Sequence, residues 1–370
     1  MKKLRVAVLY GGRSGEHEVS LQSAASVINY LDRDRFEIVP VAIDKQGRWH
    51  LNDVSLIQGR KSLPVFKDAP RIVLPPDSAA KSALIPLGGS GQAKSIDVVF
   101  PVIHGPLCED GTIQGLLELA DVPYVGCGVL ASAVAMDKEV AKRLARDAGL
   151  PIVSYVSLRQ EHWRKEKRLA ERVEKDLGYP VFVKPANLGS SVGVQKVKEA
   201  GDLTAALENA FQYDVKVLVE VAVDAREIEL SVLENPDSGA DPLVSVPGEI
   251  EANHEFYSYE AKYLDEKGAA LIIPAKLDGD RIRRVQDIAR KAFLAMECEG
   301  MARVDLLLDR TSDKLFFNEL NTIPGFTSIS MYPKLWEASG IGYTELLSRL
   351  VNLAISRHKR KKALVREFHI

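Results

Sequence analysis

Cysteine is scarce in this chain. Of 370 residues only Cys108, Cys127 and Cys298 are cysteines, scattered and odd in number. That argues against a disulfide framework or a cysteine-bound zinc, and fits a reducing compartment. An excess of one charge is lacking too: 49 Lys and Arg face 51 Asp and Glu, a formal net charge of -2. Nothing in that balance points to nucleic acid or an anionic membrane as a partner. No apolar run approaches a membrane span, and Val6 to Tyr10 is too short for the core of a secretory leader before Gly11-Gly12 interrupts it. A cytoplasmic protein is expected. The loop Gly11-Gly12-Arg13-Ser14-Gly15 lacks the G-x-G-x-x-G spacing of a dinucleotide fold, which weakens any nicotinamide or flavin reading.

What is present is ordinary globular composition, 46% hydrophobic, over a length that suits roughly two or three domains. The most informative stretch is Arg303 to Ser330. Two apolar-rich runs, Arg303 to Asp309 and Leu315 to Asn321, flank a polar turn and read as a β-hairpin. Strand alternation puts Arg303 and Asp305 on one side of the first run, and Glu319 and Asn321 on one side of the second. If those sides coincide, two carboxylates and an amide oxygen converge beside a cation. Such hard, sparse oxygen donors suit Mg²⁺ with positions left for water and phosphate. The bland alternative is an exposed hairpin with a polar face. Thr322-Ile323-Pro324-Gly325 then breaks the strand and supplies a glycine that a ligand can approach.

Leu4 to Tyr10, the glycine loop and Glu18 to Leu31 read as strand, loop and helix, the opening of a parallel α/β unit with Glu16 at the junction. A strand follows at Phe36 to Ile43, then loops with short edge strands over 59–94. The buried-type strand Asp97 to Ile103 leads to the polar turn His104 to Thr112. Asp137 can cap the next helix, whose Val140, Leu144 and Ala148 form an apolar face. Lys138 in that helix's first turn opposes the dipole preference, so a nearby anion is expected. Tyr179 to Pro185 and Val192 to Val197 read as a second hairpin around Gly189-Ser190-Ser191-Val192-Gly193, a phosphate cradle without a P-loop's Gly-Lys-Ser/Thr, or simply a turn; Lys184 adds a point charge. The strand Val215 to Glu220 runs on to Glu227. Residues 251–268, without periodicity, read as a lid or a connector. A helix spans Asp280 to Cys298, another Tyr343 to Ala354, and the basic His358 to Lys362 reads as a solvated end.

Arg303-x-Asp305 with Glu319-x-Asn321-Thr322-x-Pro324-Gly325-Phe326-Thr327-Ser328 resembles the metal-binding signature of ATP-grasp enzymes, and specifically of D-alanine:D-alanine ligases. The likeness runs from about Val6 to Ala354 and includes the Gly-Gly-x-Ser-x-Glu-His start and the Glu260-Ala261-Lys262-Tyr263 string. It implies a three-domain ATP-grasp architecture, α/β overall and α+β in the ATP-binding part. Residues 1–125 would be a Rossmann-like parallel sheet holding substrate, 126–220 a central lid domain, 221–357 the catalytic and metal domain, and 358–370 the basic tail.

The implied reaction activates one D-alanine carboxylate as an acyl phosphate, from which a second D-alanine amine displaces phosphate to give D-alanyl-D-alanine for peptidoglycan. By this resemblance Glu16 holds the first ammonium, and His104 lies beside the amino-acid pocket. Lys138, Lys184, Ser190, Ser191 and Lys262 meet the phosphates. Glu220, Val221 and Val223 frame adenine, and Glu227 holds the ribose. Asp305, Glu319 and Asn321 carry one or two Mg²⁺, with Mn²⁺ as a substitute. Arg303 and Gly325 stabilise the oxyanion, Ser330 orients the second carboxylate, and Tyr263 links the lid to Ser190 and Glu16. Tyrosine at 263 implies the dipeptide rather than D-alanyl-D-lactate, and the family implies a homodimer. Cys108 stands where the family usually has glycine, so its loop is expected to differ. Another ATP-grasp ligase and a non-catalytic nucleotide sensor remain as alternatives.

Overall fold

The apolar run from Val6 to Tyr10 is the buried centre of β1 (Leu4–Gly11). Parallel partners flank it, β2 (Phe36–Ile43) on one side and β7 (Val98–Pro101) on the other. Four short strands, β3 (Trp49–Leu51), β4 (Arg71–Val73), β5 (Ala83–Pro86) and β6 (Lys94–Ser95), extend the sheet antiparallel in the order β6-β5-β4-β3-β2-β1-β7. The sheet is thus mixed, with its parallel part at β2-β1-β7. The short β2–β3 connection cannot make the crossover a parallel neighbour needs. The computed structural model describes residues 2–77, 82–88, 92–237, 239–252 and 269–365, and of 252 and 269 the backbone alone. Among them no helix is long and apolar enough to cross a membrane.

Helix α1 (His17–Tyr30) follows the glycine loop, and α2 (Thr112–Leu119) follows the His104 turn; α3 (Val129–Met136) and α4 (Lys138–Asp147) come next. A second, antiparallel sheet orders β8 (Tyr155–Arg159), β9 (Val181–Pro185), β10 (Gln195–Val197) and β11 (Lys216–Val221) as β10-β9-β11-β8. Helices α5 (Leu169–Asp176) and α6 (Leu203–Ala210) cover it, packing Val173 and Leu207 in one core with Val183, Val217 and Val219.

The third sheet contains β12 (Ala225–Leu233), β13 (Leu243–Val244), β14 (Gly248–Ala252), β15 (Ala269–Ile272), β16 (Met301–Asp309) and β17 (Leu315–Asn321). Its order is β15-β14-β12-β16-β17, with β13 pairing β12. Helix α7 (Gly279–Ala295) sets Val285, Ala289 and Ala292 in the core formed with Ile228, Val304 and Phe317. Ala131, Ala135, Ala141 and Ala145 of α3 and α4 share that core.

Two sequence expectations change here. In α4 the buried residues are Ala141, Lys142 and Ala145, while Val140 and Leu144 are half-buried and Ala148 is exposed. Close helix packing on the sheet favours the small alanine side chains over the bulkier stripe. After α8 (Met331–Ala338), helix α9 (Tyr343–Lys362) continues through the basic residues read as a solvated end. Lys359, Arg360 and Lys362 are exposed as expected, but the stretch also makes ion pairs: His358 and Lys362 with Asp121 at 2.9 and 2.8 Å, Lys361 with Glu118 at 2.8 Å, and Arg360 with Glu234 at 3.1 Å. Buried Arg357 donates to the carbonyls of Gly126 and Tyr124, fastening the helix over that segment. These acidic and carbonyl partners lie more than a hundred residues away in sequence, where local composition gives no sign of them.

Candidate active site

The hairpin of β16 and β17 brings its two polar sides together. Antiparallel register sets Asp305 opposite Glu319 and Arg303 opposite Asn321, with an irregularity just after Asp305. Arg303 donates from Nε and Nη2 to Asp305 at 2.7 and 2.6 Å, and its Nε lies 3.1 Å from Glu229. Its Nη1 makes no hydrogen bond among the described residues. Burial would lower the guanidinium pKa, but Asp305 and Glu229 outweigh it and hold it well above the usual range. Asn321 Nδ2 donates to Asp305 at 3.1 Å. Like charges directly opposite on paired strands repel. Here each carboxylate has a cation nearby, Arg303 at Asp305 and, at 3.7 Å, Lys138 at Glu319.

This donor set fits Mg²⁺. Among the described residues there is no group of three or more His, Cys, Asp or Glu side chains able to hold a metal alone. Two carboxylates and the Asn321 amide oxygen therefore leave several positions for water and phosphate, as Mg²⁺ prefers. The Asn321 amide turns its Nδ2 to Asp305, so it must rotate to offer its oxygen to a metal.

Lys138 begins α4 beneath Asp137, whose carboxylate accepts from the backbone N–H groups of Glu139 and Val140. Its ammonium donates to the Leu188 carbonyl and faces Glu319, the nearby anion that its position called for. Lys184 on β9 donates to Glu220 at 2.7 Å. Glu220 is buried, and its carboxylate is directed to lysines, whereas Val221 and Val223 follow it along the cavity wall. A cavity of about 520 Å³ is lined by Lys138, Lys184, Ser190, Ser191, Glu220, Val221, Val223, Glu227, Asp305 and Glu319. Three separately encoded motifs thus face one space.

The Ser190-Ser191 turn adopts positive φ angles of 53° and 58°. Non-glycine residues pay a conformational penalty there, which a functional contact explains. Ser190 Oγ donates to Glu16, closing the second sheet's flap onto the N-terminal loop. Glu16 is 9% exposed and tightly enclosed. A Cβ at Gly105, whose φ is +79°, would lie 2.6 Å from its Oε2, and one at Gly189 would lie 3.4 Å away.

His104 is buried with its ring turned into the scaffold. Nε2 meets Ser23 Oγ at 2.9 Å, Nδ1 meets the Ile323 carbonyl at 3.2 Å, and Glu109 lies 3.5 Å off. Burial opposes its protonation, but Glu109 and Glu16 prevail and raise its pKa. Its own carbonyl accepts from Ser14 Oγ at 2.7 Å, tying the two N-terminal loops together. The non-glycine left-handed residue of this turn is Leu107, at φ 69°, and Cys108 is not among the positive-φ positions. Cysteine in place of glycine therefore costs no backbone strain; its buried thiol packs in the core with Leu9 and Ile103.

Ser330 precedes α8, and its Oγ accepts from Thr327 N at 2.9 Å. A Cβ on Gly325 would lie 2.8 Å from that same oxygen. Lys262 and Tyr263 lie outside the described residues. Two lysines went unread in the sequence. Lys216 is buried and meets Asp137 at 2.5 Å and Glu139 at 2.9 Å, bracing the start of α4. Lys142 is buried behind Glu220 at 3.3 Å. Its only sequence signal is a lysine one turn beyond Lys138.

Comparisons place this geometry among known proteins. The family described as "D-ala D-ala ligase N-terminus" matches residues 5–127, and "D-ala D-ala ligase C-terminus" matches residues 144–352. The chain is similar to D-alanine--D-alanine ligase A of Bradyrhizobium diazoefficiens, 57% identical over 373 residues and covering 99% of each. Among solved structures it resembles the D-alanine-D-alanine ligase from Coxiella burnetii, with TM-score 0.84 and 37% identity over 99% of this chain and 98% of that one. It also resembles the VanG D-Ala:D-Ser ligase from Enterococcus faecalis, with TM-score 0.83 and 34% identity over 95% of this chain and 100% of that one.

Proposed function

The chain belongs to the D-ala D-ala ligase family, and from that premise we propose that it joins two D-alanines to D-alanyl-D-alanine at the expense of ATP, supplying a peptidoglycan precursor. The observation that carries this reading is the single cavity onto which Lys138, Lys184, the Ser190-Ser191 turn and the Asp305–Glu319 pair all face, with Glu16 joined to its flap. Glu220 with the backbone at Val221 and Val223 frames adenine, and Glu227 holds the ribose. Lys138 and Lys184 draw the phosphates in as point charges, and Lys262 and Tyr263 complete the site from the lid. Glu16, enclosed and already accepting from Ser190, binds the ammonium of the first D-alanine, whose carboxylate then attacks the γ-phosphoryl group. His104 positions the Glu16 loop and the Ile323 segment through its hydrogen bonds.

Asp305, Glu319 and Asn321 would hold one or two Mg²⁺, or Mn²⁺ in its place. Bound there, the metal supplies charge neutralisation for the polyphosphate and its leaving oxygen. Arg303, through Nη1, and the amide of Gly325 receive the oxyanion that forms when the second amine attacks the acyl phosphate. Ser330 orients the second carboxylate. The protein is read as a cytoplasmic homodimer acting without nucleic acid or membrane.

The test is ADP release from ATP and Mg²⁺ with D-alanine, L-alanine, D-serine or D-lactate offered, and the product identified by mass. D-alanine-dependent ADP release with the dipeptide as product is expected. Preferential consumption of D-serine, the substrate named for the VanG relative, or of D-lactate would overturn the assignment of the second substrate. Gly325→Ala provides a sharper check. The new methyl must displace the Ser330 hydroxyl, so KM for the second D-alanine should rise about tenfold, in keeping with the cost of small misplacements. An unchanged KM would remove Ser330 from the acceptor pocket.

A further inference from the structure

Lys142 is 1% exposed on α4, does not line the cavity, and has no task in the reading above. Its Nζ stands 3.3 Å from one oxygen of Glu220, whose other oxygen accepts from Lys184 at 2.7 Å. Going inward from the cavity, the order is Lys184, Glu220, Lys142. Glu220 is also 1% exposed, so a carboxylate is buried between two ammoniums. Burying charge is costly, and burying two like charges around one counterion more so. A fold that needed only to neutralise Glu220 would require one lysine.

The second lysine changes the net charge that faces the cavity. Lys184 and Glu220 alone make a neutral pair, whose attraction for an anion largely cancels. With Lys142 behind, the three groups carry +1, and the cation at the front is the one that faces the cavity. We propose that Lys142 is a positioning residue for the nucleotide phosphates: it takes up the charge of Glu220 from behind, so that Lys184 keeps its full attraction for a polyphosphate. The proposal rests on reading the cavity as the ATP site. Lys142 Nζ faces Glu220 at 3.3 Å; burial lowers its pKa from the usual lysine range, and the Glu220 carboxylate opposes that. Burial alone would raise the Glu220 pKa, but the two ammoniums outweigh it and hold it down to about 2, so the carboxylate stays ionised at neutral pH.

The experiment measures binding of a non-hydrolysable ATP analogue, ADP and adenosine by titration calorimetry, with thermal melts to verify folding. It uses the full chain and its variants Lys142→Met, Lys142→Gln, Glu220→Gln and Lys142→Met/Glu220→Gln. Losing the rear charge should weaken the ATP analogue about tenfold, ADP less, and adenosine by no more than about twofold. Lys142→Gln should behave like Lys142→Met, since it restores a donor without charge, and it serves in its place if the methionine variant does not fold. In the Glu220→Gln background the same loss of Lys142 should change analogue binding by less than about threefold, because no carboxylate is left to neutralise Lys184. Lys142 would be a packing residue if adenosine weakened as much as the analogue, if Lys142→Gln recovered binding, or if the loss were the same in both backgrounds. An unaltered chain that bound neither adenosine nor the ATP analogue would overturn both the nucleotide reading and this proposal.

Discussion

Glutamine in place of Glu319 should bind ATP within a few-fold of the unaltered protein and turn over about a thousandfold more slowly, the effect of removing several kcal/mol of charge stabilisation. The substitution keeps size and shape. Glu319 is half-buried on β17, and its register opposite Asp305 is set by the backbone ladder, so the hairpin should survive with little change in melting temperature. What is lost is one of two facing anionic donors. Lys138, now 3.7 Å from Glu319, would also lose its counter-charge and remain available to the phosphates, which is why ATP binding should persist. Steady-state ADP release and calorimetric ATP titration, run on the same preparation, separate the two. Near-normal turnover would place the metal somewhere other than this hairpin.

The second large effect concerns Arg303→Lys. Lysine preserves the positive charge that Asp305 and Glu229 require, but not the planar fork that holds Asp305 through two nitrogens and leaves Nη1 over. Turnover should fall about a hundredfold to a thousandfold, the range for losing one oxyanion donor, while ATP binding changes little. Kinetics and a thermal melt of the same variant decide the matter. Full kcat with an unchanged melt would mean that Arg303 only neutralises its two carboxylate neighbours.

Much of this site was legible because strand periodicity is strict. Alternation along β16 and β17 puts Arg303, Asp305, Glu319 and Asn321 on particular sides, and the register sets those sides against each other. The Lys138 argument was of the same local kind: a cation at a helix start needs an anion, and Glu319 is within reach. Helical burial was harder to read. The apolar stripe expected from Val140, Leu144 and Ala148 lost to Ala141 and Ala145, since the distance between helix and sheet selects for small volume, which hydropathy does not register. The ring of His104 bonds to Ser23 and Ile323, partners contributed by α1 and by the chain after β17 that no local pattern names.

The sequence by itself determined the chemistry available to this protein: which carboxylates share a strand face, which turn carries serines and glycines without a P-loop lysine, and which helix starts with a misplaced cation. Those properties depend on neighbours a few residues apart, where backbone geometry alone sets direction. Tertiary structure decided how charge is shared between distant segments. It set Glu220 between Lys184 and Lys142, joined Ser190 to Glu16, and paired the basic end of α9 with Asp121 and Glu118. Electrostatic pairing acts through space over a few ångströms, and no local pattern in the chain records which segments folding will bring that close.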